Sequence, residues 1–215
     1  MNKPNYQKEL DALLDRLTAE GRVPTLLLHS CCAPCSSYCL EYLSSYFSIT
    51  VFYYNPNISP KDEYDRRVEE IRRLVKELPA RHPISLIEGP YEPELFFAAA
   101  KGLEDVPEGG ERCFLCYRLR LEKAAKLAAD LHFDYFTTTL TISPLKNAQK
   151  LNEIGQELSG IYQIPCLPSD FKKKNGYLRS IELSREYDLY RQDYCGCVFS
   201  KRESEKKKLS SPEKV

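Results

Sequence analysis

Apolar positions along the chain alternate between helix-like and strand-like spacing. Leu10, Leu13, Leu14 and Leu17 recur at i, i+3, i+4 and i+7 and predict an amphipathic leading helix. Residues 25–29 (TLLLH) form the short continuous apolar run of a strand buried on both faces. A helix over 36–46 follows, then a strand over 49–54 (ITVFYY) rich in β-branched and aromatic residues. Residues 60–78 read as a long charged helix with Tyr64, Val68, Ile71 and Val75 on one stripe, and the alternating charges around them read as a solvated face.

A strand over 84–87, a helix over 93–101 and a Gly/Pro loop over 102–111 come next. They lead to a helix over 112–129, a Thr-rich strand over 135–140 and a helix over 147–158. A last short strand over 161–165, a helix over 180–193 and a basic, frayed tail over 201–215 complete the pattern. Strands alternating with longer helices predict an α/β fold, a parallel sheet with helices on both faces. With no repeat or linker in view, residues 1–200 are expected to form a single domain and 201–215 a tail.

Composition changes this picture in two ways. The 31 basic and 31 acidic residues cancel, which excludes a globally basic nucleic-acid coat but leaves room for a local basic patch. The polar opening MNKPNYQKEL and the lack of any long apolar run predict a soluble, non-secreted, cytoplasmic protein with no membrane association. Nine cysteines are then the anomaly, being odd in number and without an oxidising context.

Seven of the nine cluster, as Cys31, Cys32 and Cys35, as Cys113 and Cys116, and as Cys195 and Cys197. The first cluster follows the first strand, where open α/β sheets place their ligands and where a nucleotide-binding fold would carry a Gly-rich loop. Cys113-Phe114-Leu115-Cys116 opens a predicted helix whose N-terminus favours thiolates. With Cys31 and Cys32 it offers four sulfurs, enough for a [4Fe-4S] cluster, with a Cys₄ zinc site as the competitor. Cys195-Gly196-Cys197 would close a strained ring as a disulfide, so it reads as a redox pair or as ligands of a second metal. Cys39 and Cys166 read as buried small hydrophobes, and Cys35 is undecided.

The three histidines give little support to mixed Cys/His zinc chemistry, and His29 reads as a satisfied core residue. Two stretches have the mixture of cations and aromatics that phosphate contact and base stacking require. One is Lys172, Lys173, Lys174, Tyr177 and Arg179; the other is Arg118, Arg120 and Lys123. For each alone a solvated basic face is the simpler account.

The segments HSCCAPCS, FYYNPNISP, AKGLEDVPEGGERCFLCYRLRL, FTTTLTISPLKN, SDFKKKNGYLRS and LYRQDYCGCVFS occur in order across residues 26–200. In these motifs the chain resembles the cobalamin-independent epoxyqueuosine reductase family, QueH. The resemblance implies a HUP-like fold related to the PP-loop ATPases. It also implies reductive removal of the epoxide oxygen of epoxyqueuosine at the wobble position of tRNA, the last step of queuosine synthesis.

It further implies a [4Fe-4S] cluster on Cys31, Cys32, Cys113 and Cys116, beside a redox pair or second, mononuclear iron at Cys195 and Cys197. Asp170 or Asp193 is a candidate carboxylate for that iron, and Tyr194 a candidate proton source. The implied partners are tRNA and an unidentified electron donor. A metal-free thiol–disulfide oxidoreductase and a zinc-stabilised RNA-binding module are the alternatives.

Overall fold

The computed structural model describes residues 4–210. Four parallel strands, β1 (Thr25–Ser30), β2 (Ser48–Tyr53), β3 (Ile84–Glu88) and β4 (Tyr135–Thr138), form one sheet in the order β3-β2-β1-β4. Leu28 of β1 lies opposite Val51 on one side and Thr137 on the other. The run TLLLHS can be apolar at successive positions because both faces of the sheet are covered. Leu26 and Leu28 enter one core with Ile49, Val51 and Tyr53, while Leu27 enters the other with Phe52 and Phe136.

Helices α1 (Tyr6–Ala19), α2 (Ala33–Leu43) and α3 (Lys61–Glu77) supply Leu10, Leu40 and Ile71 to the first core. After α4 (Pro93–Ala100), helices α5 (Glu111–Asp130) and α6 (Ala148–Tyr162) supply Leu121, Ala125 and Leu158 to the second. Helices α7 (Gly176–Glu186) and α8 (Val198–Ser210) close the described chain. Among the described residues no helix is long and apolar enough to cross a membrane.

Several elements depart from the sequence pattern, some for local reasons and some through distant contacts. Helix α2 begins at Ala33 rather than near 36, because Pro34 is tolerated in a first turn and Cys32 serves as its N-cap. The last strand expected over 161–165 does not form. Helix α6 runs on through Tyr162, Gln163 turns it off at φ 53°, and the segment beyond makes a single bridge from Cys166 to Phe136. The strand expected over 135–140 ends at Thr138, whose hydroxyl accepts from the Leu140 amide (3.1 Å) and opens a 3₁₀ turn over Thr139–Ile142.

The helix expected over 180–193 is instead α7, beginning at Gly176 and ending at Glu186, with Asp188 at φ 45° just beyond. Residues 187–197 are therefore an irregular strap. The tail expected to fray is helical as far as Ser210, and 211–215 lie outside the described residues.

The strand order sets the position of the site. From β1 the chain moves to β2 and β3 on one side, then crosses to β4 on the other. The carboxyl ends of β1 and β4 therefore flank the crevice at which open α/β sheets bind their ligands.

Candidate metal and redox centre

Cys31, Cys32 and Cys35 gather where β1 runs into α2. Cys32 caps the helix and Cys35 lies in its first turn, so all three sulfurs fall within 4.8 Å of one another. The sulfurs of Cys31 and Cys32 are 3.8 Å apart, and the Thr139 hydroxyl donates to Cys31 Sγ at 3.5 Å. Hydrogen bonds from Cys31 and Cys35, with Arg67 beside them, hold the Cys32 thiol well below the ordinary range. Hydrogen bonds from Cys31 and Cys32, in turn, push the Cys35 thiol well above it. Among the described residues this is the one group of three or more metal-ligating side chains at such spacing.

Cys113 and Cys116 lie in the first turns of α5. Gly110 caps that helix at a point where a Cβ would come within 2.6 Å of Val106 Cγ1, and the Gly109 amide donates to Cys113 Sγ at 3.3 Å. Burial pushes the Cys116 thiol up to about 12. These two sulfurs line one small cavity with Cys195 and Cys197 from the strap. Cys195 and Glu108 also line a larger cavity of about 420 Å³ that holds Cys31, Cys32 and Cys35. Cys195 thus stands between the two groups.

Charged side chains fix the strap that carries Cys195. Lys146, just before α6, donates from Nζ to Cys195 Sγ at 3.1 Å. Burial opposes its charge, yet the neighbouring Cys195 and Tyr117 keep its ammonium above the ordinary lysine range. Arg67, 1% exposed, donates from Nη1 to the Cys195 carbonyl (3.2 Å) and from Nε to Glu63 (2.7 Å). Gly196 sits at φ 114°, where a Cβ would come within 2.9 Å of Arg67 Nη1 and of Ile58 Cγ1. Only glycine fits that position without strain.

The rest of the strap rests on the charged side of α3. Tyr190 donates its hydroxyl to Glu63 (3.0 Å) and its amide to Glu70 (2.8 Å), while the Arg66 guanidinium lies 3.4 Å over its ring. Arg73 donates to the carbonyls of Tyr187 (2.8 Å) and Asp188 (3.0 Å). The face of α3 expected to be solvated is therefore partly a clamp.

The other sequence candidates separate. Tyr177, Asp193 and Tyr194 line the larger cavity, and Asp193 pairs with Lys208. Asp170 pairs with Lys172, and neither residue lines either cavity. Lys174 pairs with Asp11 (2.7 Å), Arg179 with Glu41 (2.7 Å), and Lys173 is exposed.

Of the second basic stretch, Arg118 pairs with Glu157 and Lys123 with Glu92, while Arg120 is buried beneath the cysteines. His29 is satisfied in the core, its ring nitrogens meeting Thr138 Oγ1 (2.8 Å) and the Tyr54 carbonyl (3.0 Å). Cys39 is buried within the first core, and Cys166 packs against Gly155 of α6.

Sequence reasoning left Cys35 open and missed Lys146, Arg67 and Glu108. Cys35 carried a signal in its spacing from Cys32; a lone lysine in SPLKN carried none.

An open parallel sheet with seven thiols at its ligand-binding end defines an α/β protein built around a polythiol centre. More narrowly, the chain belongs to the epoxyqueuosine reductase QueH family, whose model, described as "Epoxyqueuosine reductase QueH", matches residues 26–203. Epoxyqueuosine reductase QueH of Streptococcus pyogenes serotype M1 is 46% identical over 200 residues, covering 92% of this chain and 78% of the relative. The Staphylococcus epidermidis protein of that name is 47% identical over 202 residues, covering 92% and 85%. That of Acinetobacter baylyi is 37% identical over 212 residues, covering 98% and 91%.

Proposed function

We propose that this chain is an iron–sulfur epoxyqueuosine reductase, acting in the cytoplasm on tRNA that carries epoxyqueuosine at the wobble position. The observation that carries the reading is the grouping of Cys31, Cys32 and Cys35 within 4.8 Å, in a cavity whose wall includes Cys195. The reaction takes two electrons and two protons, opens both C–O bonds of the epoxide, and releases water with an alkene. An external one-electron carrier is the implied reductant.

The residues fit a metal–thiolate centre. The clustered donors are soft sulfurs, and buried Arg112 Nε and Arg120 Nη2, which have no hydrogen-bond partner, belong to side chains lining the cavity of Cys113, Cys116, Cys195 and Cys197. Such donors suit an anionic cluster. The shared lining of the smaller cavity supports a [4Fe-4S] cluster on those four sulfurs, with an adjacent iron on the three-sulfur group of Cys31, Cys32 and Cys35. The division expected from sequence, with Cys31, Cys32, Cys113 and Cys116 on the cluster, is its competitor. Glu108, which lines both cavities, is better placed than Asp170 to add a carboxylate.

When bound, the cluster supplies electrons one at a time. The chain's own residues do the rest. The larger cavity admits the modified base, which has to leave the anticodon stack to reach the sulfurs. Lys146 and Tyr194 are proton-bearing groups on its wall, and burial keeps the Tyr194 hydroxyl protonated.

The test is anaerobic incubation of iron-loaded protein with epoxyqueuosine-containing tRNA and a chemical reductant. Mass spectrometry of the digested nucleosides should show loss of one oxygen atom. Unchanged epoxyqueuosine would sink the reading. A metal-free oxidoreductase would instead keep its redox activity without iron, and a zinc-stabilised RNA-binding module would bind tRNA without turnover.

A further inference from the structure

We infer that helix α8 is a docking surface for the phosphate backbone of the tRNA anticodon arm, at the rim of the cysteine cavity. The inference rests on the tRNA reading above and assigns a role to a segment that reading does not use.

Charge and position carry it. The chain as a whole is neutral, so a cationic helix is not a by-product of composition. Helix α8 holds five cations, Lys201, Arg202, Lys206, Lys207 and Lys208, against two acids, Glu203 and Glu205. Glu203 is turned inward, receiving the Glu108 amide (3.1 Å) and pairing with buried Arg112 (3.3 Å). Lys201, Arg202, Lys206 and Lys208 are exposed.

Beyond Phe199 the sequence KRESEKKKLS has no apolar stripe, so core burial does not hold this part of the helix. Polar anchors hold it instead. Glu203 ties it to Arg112 at the start of α5, and Lys208 ties it to Asp193, which lines the cavity. The basic helix is thereby tied to two residues that line the cavity a modified base must enter, Asp193 through Lys208 and Glu108 through Glu203.

A polyanion is the occupant this charge selects. An acidic electron-carrier protein would also suit a basic helix. However, a carrier has no need to approach at the substrate's entrance, so position favours the tRNA.

The test is tRNA affinity across a salt series for iron-loaded protein. Lys201→Gln/Lys206→Gln is compared with Lys76→Gln/Lys126→Gln, exposed lysines in the C-terminal halves of α3 and α5, toward the opposite end of the sheet. The α8 pair should weaken binding on the order of tenfold, and the slope of log affinity against log salt should fall by about 2. The α3/α5 pair should match wild type, and Lys201→Arg/Lys206→Arg should restore binding. Unchanged iron content in every variant establishes that the fold and centre are intact.

Equal binding by both glutamine pairs would overturn the inference. So would unchanged tRNA affinity with turnover lost only when the reductant is an acidic carrier protein, which would make α8 a donor site. If wild type itself binds no tRNA, the functional reading fails, and the inference falls with it.

Discussion

The ammonium of Lys146 lies 3.1 Å from the sulfur of Cys195, across 49 residues of sequence. This contact joins the turn after β4 to the strap before α8, and it sets a positive charge against the one sulfur shared by both cavities. Hydrogen bonds to charged groups contribute about 1.5–3 kcal/mol. Lys146→Met should therefore slow single-turnover deoxygenation by roughly ten- to a hundredfold with iron content unchanged. Lys146→Arg should retain part of the rate. Wild-type kinetics in Lys146→Met would show that the contact is incidental.

Gly196→Ala tests the geometry of the strap. The substitution places a Cβ at a positive φ, against Arg67 Nη1 and Ile58. Strain of this kind costs about 1–3 kcal/mol, which in a chain of this size lowers the melting temperature by roughly 2–10 °C. Calorimetry should show that loss, and turnover should fall as Cys195 is displaced. A melting temperature equal to wild type would contradict this account of Gly196.

Much of this arrangement was legible in the chain, for reasons that differ by element. The strand β1 announces itself because burial on both faces demands TLLLH, and the clustered thiols mark its loop as the site. The end of α7 is hidden because residues 180–193 keep helical spacing. What stops the helix is the side of α3, where Glu70 and Arg73 bind the backbone of Tyr187, Asp188 and Tyr190. Those contacts span more than a hundred residues, beyond any local pattern. Cys35 stayed open because the helical pattern in the sequence begins only at 36, whereas α2 starts at Ala33 and puts Cys35 within its first turn.

His29 makes stability depend on pH. Burial, with Arg120 nearby, lowers its pKa to about 4, while Cys31 and the Tyr54 carbonyl pull the other way. The fold holds the neutral ring, whereas the unfolded chain takes up a proton near pH 6.5. Stability from this group is thus complete above about 6.5 and lost as pH falls toward 4. Urea unfolding should show about 2 kcal/mol lost between about pH 7 and pH 5 from this group. His29→Gln should be less stable at neutral pH but should lack this part of the slope. An identical slope in the variant would assign the effect elsewhere.

Cysteine variants separate ligands from packing. Cys35→Ser should lower bound iron while leaving acid-labile sulfide near wild type, because it touches only the three-sulfur group. Cys197→Ser should remove the sulfide if the cluster sits on the four sulfurs of the smaller cavity. Retained sulfide would return the cluster to Cys31, Cys32, Cys113 and Cys116. Cys39→Ala and Cys166→Ala should load fully and lose only packing stability, about 1 kcal/mol each.

The most direct test of the central claim is metal and acid-labile sulfide per chain on anaerobically purified protein, with an EPR spectrum after reduction. The account predicts about four or five irons with about four sulfides, and a reduced-cluster signal. Five irons would match a cluster with an adjacent iron. Stoichiometric zinc with no sulfide, persisting after anaerobic reconstitution with iron and sulfide, would contradict it.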